Sequence, residues 1–121
     1  MLRASVLAGL NASLASVAGK VAFDDRFLVS FVFGGVAPSS SLLLCARAVA
    51  VILLLSLNAM LFRFVALGMS KSASSVEVTA VTCAVNFLCT GLFGALLFNE
   101  AITMTWVVGA GLLAFGISLL S

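Results

Sequence analysis

The chain has 121 residues, 64% of them apolar and 8% charged, with six basic residues, four acids and no histidine. A soluble domain carries about 25% charged and about 45–50% apolar residues, so this composition excludes a soluble enzyme and a disordered tail and points to the lipid bilayer as solvent. The net charge of +2 is too small for the basic field that nucleic-acid binding needs.

Each crossing of the hydrocarbon needs ~20 apolar residues, so four crossings use roughly 80. The expectation is one integral membrane domain with short loops, divided by its few charges. A first span is predicted over 2–23, where Arg3 and Lys20 enclose 16 uncharged residues. It carries Ser5, Asn11, Ser13 and Ser16, and Ser16-Val17-Ala18 has the look of a signal-peptide cleavage site. The run is polar for a signal peptide, however. Ala4, Ala8, Ala12 and Ser16 recur every fourth residue, and Ala15 and Gly19 form a second such pair. Small residues at that spacing let two helix backbones approach closely in lipid, so Ala8, Ala12 and Ser16 are expected at a helix contact. Lys20 stands one turn before Asp24. The two can pair, Lys20 can snorkel to the headgroups, or it can attract an anionic group in a water-filled vestibule.

The apolar piece 27–37 has 11 residues and ends at Pro38-Ser39-Ser40-Ser41. Runs of about 10–14 are usually interfacial or re-entrant, and Gly34, Gly35 and Pro38 argue against a rigid helix. Residues 24–40 are therefore expected as a loop or re-entrant segment, with a fifth span over 27–46 as the alternative. A second span follows over 41–69. Its Arg47 and Arg63 are 16 residues apart, ~24 Å along a helix, which lets each reach an opposite headgroup layer.

Ser74-Ser75-Val76-Glu77 reads as a capping box that starts a third span over 75–98. Asn99-Glu100 makes a tight turn into a fourth over 101–120, so these two form a hairpin. Gly91 and Gly94 in the third span, and Gly109, Gly111 and Gly116 in the fourth, would each cost about 1 kcal/mol in a water-exposed helix. Here Gly91, Gly94, Gly109 and Gly116 are expected to mark packing faces. Trp106 is placed as an interfacial anchor and Glu100 as a charge beside the N-terminal dipole of the last helix. Lys and Arg divide three against three between the two sides, which leaves the orientation open.

A polar side chain at membrane depth needs a reason. Asn11, Asn58 and Asn86 lie in three different spans. They can hydrogen-bond across the bundle, for roughly 0.6–2 kcal/mol each, or line a path for a polar substrate together with Lys20. No acid lies deep in a span and no histidine exists, so the usual proton-relay groups are missing. Cys45, Cys83 and Cys89 read as small packing residues. No nucleophile stands beside a base; no enzyme activity, metal or cofactor is expected.

The stretch Asn86-Phe87-Leu88, then Gly91-Leu92-Phe93-Gly94-Ala95-Leu96-Leu97-Phe98-Asn99-Glu100, followed by Gly109, Leu112 and Gly116, resembles the closing helix pair of the drug/metabolite transporter superfamily (EamA-like). The Ala/Ser ridge with Lys20-Val21-Ala22-Phe23, and Leu57-Asn58-Ala59-Met60, resemble more narrowly the transmembrane protein 42 family, small four-helix members of that group. The likeness covers most of the chain apart from 27–40. Asn99 stands where the superfamily usually has Gly. The essential first-helix Glu of the small multidrug-resistance branch has no counterpart between Arg3 and Lys20, so proton-coupled drug antiport is not implied. What the resemblance implies is an all-α membrane protein, four transmembrane helices packed as an antiparallel bundle, amounting to half a transporter. Such a half would act as a homodimer moving a small organic solute, in an endomembrane such as the endoplasmic reticulum or Golgi. The alternative is a non-transporting subunit or assembly factor that packs on another membrane protein.

Overall fold

A computed structural model of the chain describes residues 2–34 and 39–120. Among these residues there are five helices and no strand: α1 (Leu2–Phe23), α2 (Asp25–Val32), α3 (Ser40–Ser70), α4 (Ser75–Leu97) and α5 (Met104–Leu120). The chain is thus all-helical, and α1, α3 and α4 are each long and apolar enough to cross a membrane. With 31 residues, α3 is ~46 Å long, more than the ~30 Å hydrocarbon layer. In a bilayer it would tilt or carry its ends into the headgroups. α5 is apolar but shorter, at 17 residues.

Side-chain caps set the helix boundaries. Asp24 leaves the helical region and its carboxylate accepts from the Arg26 N–H at 3.1 Å, which starts α2 one residue after α1 ends. Two turns later the chain reaches Gly34 at φ +60°, a conformation open to Gly without a Cβ penalty. Ser39 caps α3 through the Leu42 N–H. Ser74 accepts from the Glu77 N–H at 3.4 Å and starts α4 at Ser75. Asn99 takes φ +51° and turns the chain after α4; a short polar side chain tolerates that region.

Within 24–40, expected as a loop or re-entrant segment, the described residues form the short helix α2. Its eight residues cover ~12 Å and end before Gly34, so α2 alone is too short to cross the hydrocarbon. Gly35 and Pro38, which entered that expectation, lie outside the described residues. The helix forms because Asp24 caps it and because Leu28, fully buried, anchors it on the bundle.

α1 is the central helix, packed along both α3 and α4. Its buried residues are all small: Ser5, Ala8, Gly9, Ser13, Ala15, Ala18 and Ala22. Lipid tails are as apolar as leucine, so the gain on association comes from close contact rather than from leaving water, and small side chains allow it. The start of α1 meets the end of α3, with Gly68 beside Ser5 and Ala4, while Gly19 lies beside Leu54. Against α4, Gly9 lies on Thr82 and Val85, and the Thr82 hydroxyl donates to the Ser5 carbonyl at 3.4 Å. α5 touches α4 and no other helix among the described residues, and none of its residues is buried.

The expected ridge Ala4–Ala8–Ala12–Ser16 needs correction. Ala8 is buried, Ala12 is half-buried, and Ser16 is exposed, its hydroxyl donating back to the Ala12 carbonyl at 3.1 Å. The buried stripe at every fourth residue is Ser5–Gly9–Ser13, one residue along, with Ser5 and Gly9 against Thr82 and Val85 of α4, and Ala8, Ala15 and Ala22 are buried at every seventh residue. Nearly every position of α1 is small, so the spacing alone fits several stripes. The cysteines are corrected too. Cys45 and Cys83 are exposed rather than packed within the chain, and Cys89 is half-buried.

Candidate functional site

α3 and α4 meet near Gly68 and Val78, and further along they flank a groove of about 390 Å³. The floor is the α1 face carrying Ala12, Ala15, Ser16 and Gly19, residues too small to fill it. Leu54, Asn58 and Leu61 of α3 form one wall, Asn86 of α4 stands on the other, and Lys20 lies along the same α1 face beyond Gly19. Three helices thus bring Lys20, Asn58 and Asn86 to one open groove. Asn11 is not among its lining residues.

The amides do not bond to one another. Asn11 Nδ2 donates to the Leu7 carbonyl and Asn58 Nδ2 to the Leu54 carbonyl, each at 2.8 Å. Asn86 Oδ1 accepts from the Thr90 hydroxyl at 3.1 Å. The expected cross-bundle hydrogen bonds are therefore replaced by bonds one helical turn away. That leaves Asn58 Oδ1 and Asn86 Nδ2 as the atoms these two bonds do not use.

At the Lys20 end the chain builds a compact ionic and aromatic cluster. Lys20 forms an ion pair with Glu100. Of the alternatives open for Lys20, pairing with Asp24 is not the one formed, since Asp24 caps α2, and Glu100, expected beside the α5 dipole, is its partner. Glu100 reaches α1 because the left-handed Asn99 folds the turn back, with the Glu100 N–H donating to the Gly94 carbonyl at 3.1 Å. Phe27 of α2 and Phe98 meet edge to face at a centroid distance of 4.5 Å. Lys20 Nζ lies 4.4 Å from the Phe98 ring centre and 5.1 Å from that of Phe27, within cation–π range. A second pair, Arg47 with Asp25, ties α3 to α2.

The glycines expected at helix contacts divide. Gly91 makes room for the Trp106 indole, Gly94 for the Glu100 carboxylate, and Gly109 for the Phe87 ring. They admit side chains instead of bringing two backbones together. Trp106 stacks on Phe87 at 5.4 Å with the rings within 10° of parallel. Gly111 and Gly116 have nothing within 4 Å of an added Cβ, so within one chain Gly116 is not a packing residue. The close backbone approach falls at Gly9, against the Thr82 carbonyl, while Gly68 admits the Val78 side chain; sequence spacing singled out neither. Phe27 and Phe98 were missed as well; a Phe directly before the Asn-Glu turn was the available signal.

On the opposite face of α1, Leu14, Val17 and Val21 line a second cleft, of about 600 Å³, shared with Val49 and Leu53 of α3 and bounded by Leu28. Its lining side chains are all apolar, so it offers nothing to orient a polar ligand. No group of three or more His, Cys, Asp or Glu that could hold a metal occurs among the described residues.

No protein-family model, no curated protein and no solved structure matches the chain.

Proposed function

We propose that this chain is a multi-pass membrane protein of the drug/metabolite transporter type, half of a transport unit, and that its polar groove is the path of a small organic solute. One observation carries the reading: a lysine and two amides from three separate helices share one groove in an otherwise apolar chain. Each such group is unfavourable against lipid, and water or a polar solute in the groove removes that penalty. The same reading takes α1, α3, α4 and α5 as four spans of alternating direction. The contacts of Ser5 with Gly68 and of Gly91 with Trp106 support that order, and α5 at ~26 Å suits the thin end of the range. Because the groove is open on one side, a second copy completes it. No catalysis is assigned to the chain.

Thiol labelling tests the groove directly. In a variant lacking Cys45, Cys83 and Cys89, single cysteines at Asn58 and Asn86 should react with a membrane-impermeant reagent in proteoliposomes. A cysteine at Leu55, on the outward face of α3, should not. Equal protection at all three positions would refute an aqueous groove. The second reading, a subunit of another membrane complex, is favoured by α5, which buries nothing within the chain. Crosslinking in native membranes separates the two: a self-dimer supports transport, and a stoichiometric foreign partner supports the subunit.

A further inference from the structure

Among the described residues lining the groove, Lys20 carries the only charge, and its counter-ion comes from outside the lining. Glu100 sits on the α4–α5 turn with its side chain 55% exposed, against 33% for Lys20. Its carboxylate rests over Gly94, where an added Cβ would come within 2.8 Å of Oε2. An exposed ion pair is weak and exchangeable. The Lys20 ammonium, by contrast, is also held by the faces of Phe27 and Phe98, so it keeps its place when the carboxylate leaves. An ammonium packed against two rings and left without a counter-ion is disfavoured. An exchange of one anion for another never leaves it bare.

We propose that the groove binds a small organic anion whose carboxylate or phosphate replaces Glu100 as the counter-ion of Lys20. Asn58 and Asn86 then face the polar part of the bound molecule, and Leu54 and Leu61 its carbon skeleton. Glu100 is the resident stand-in that keeps the empty groove neutral. The proposal rests on the groove being a solute site and adds the class of solute. A phospholipid headgroup offers the same anionic oxygen chemistry, so the test must separate it from a free solute.

The full chain in uncharged detergent is titrated with sodium pentanoate, and with pentanamide as the neutral control. Calorimetry gives the affinity. Trp106, the single tryptophan, shares a small cavity with Glu100 and reports the release of that carboxylate by its emission. Saturable binding of pentanoate but not pentanamide is expected. Glu100→Gln removes the competitor and should tighten binding about twofold to fivefold, the competition an exposed ion pair offers. Lys20→Gln should abolish binding. The exchange Lys20→Glu with Glu100→Lys restores opposite charges but loses the contacts with the Phe27 and Phe98 faces, and should also abolish it, with helical circular dichroism checking that the fold is kept. In nanodiscs, an affinity independent of anionic phospholipid content identifies a free solute, whereas weakening in proportion to that content assigns the site to a headgroup. Pentanoate binding that survives in Lys20→Gln, or that pentanamide matches, overturns the proposal. So does absence of pentanoate binding while cysteines at Asn58 and Asn86 remain labelled, a result that leaves the aqueous groove standing.

Discussion

Replacing Gly9 with alanine tests the contact between α1 and α4. A β-carbon at Gly9 would fall 2.6 Å from Val85 Cβ and 2.8 Å from the Thr82 carbonyl oxygen. Ordinary carbon–carbon contact is ~3.5–4.0 Å, so α4 would have to withdraw by about 1 Å. Neither obstructing atom is the loose end of a side chain: one is a β-carbon and the other is backbone. Overpacking of this kind costs typically about 1–3 kcal/mol, set against a gain of about 1 kcal/mol from replacing Gly by Ala in a helix. Gly111→Ala supplies the reference, since an added Cβ there meets nothing within 4 Å and the variant keeps only the gain. The difference between the two variants isolates the clash, and Gly9→Ala should be less stable than Gly111→Ala by about 1–3 kcal/mol. Equilibrium unfolding in mixed micelles, followed by helical circular dichroism, measures it. Adding Val85→Ala removes Cγ1 but leaves both closest obstructions, so rescue should be partial at most. Equal stability of the two single variants, or full rescue by Val85→Ala, would refute a close approach at Gly9.

Leu28→Ala should cost about 2 kcal/mol or more, because Leu28 is fully buried, and hydrogen exchange should rise in α2 before the longer helices. Phe87→Leu should cost about 0.5–1.5 kcal/mol of ring stacking and shift the emission of Trp106, as should Gly91→Ala, which evicts the indole from its seat. Asp25→Asn breaks an exposed pair with Arg47 and should change unfolding free energy by about 1 kcal/mol or less. Gly116→Leu meets open space within one chain and should leave the unfolding of the isolated chain unchanged. A shift from dimer to monomer on native gels would place the α5 face at the contact between copies.

The helices were legible because their signals are local. Charges at Arg3, Lys20, Glu77 and Glu100 bound the apolar runs, and Ser74 with Glu77 marked the start of α4. The short α2 was obscured because Phe27-Leu28-Val29 reads equally as a loop skirting the interface, and Asp24, which caps it, reads equally as a partner for Lys20. Which small-residue stripe of α1 faces which neighbour was not legible. With Ala, Ser or Gly at so many positions, a shift of one residue turns the face by 100° without changing the composition of the stripe. Asn11, Asn58 and Asn86 were legible as polar residues in three apolar runs, with Lys20 beside them; that Lys20, Asn58 and Asn86 share one groove while Asn11 does not line it comes only from the packing. The partner of Lys20 was not legible, because Glu100 lies 80 residues away and reaches it only through the reversal at Asn99.

The position of α5 bears on how the groove is closed. Thr82 and Val85 lie on the face of α4 turned to α1, and in a helix of 3.6 residues per turn Phe87 and Gly91, which meet α5, project from the other side. α5 therefore stands across α4 from α1 and cannot roof the space between α3 and α4. Glu100, at the turn before α5, reaches the groove only at its Lys20 end. Lengthening that turn with two or three residues would leave α4 and α5 in contact through Phe87 and Trp106 while freeing Glu100 from Lys20. If Glu100 is a resident counter-ion, such an insertion should tighten pentanoate binding as Glu100→Gln does. If instead Glu100 shapes the groove, the same insertion should weaken it. The sign of the change separates a displaced carboxylate from a structural one.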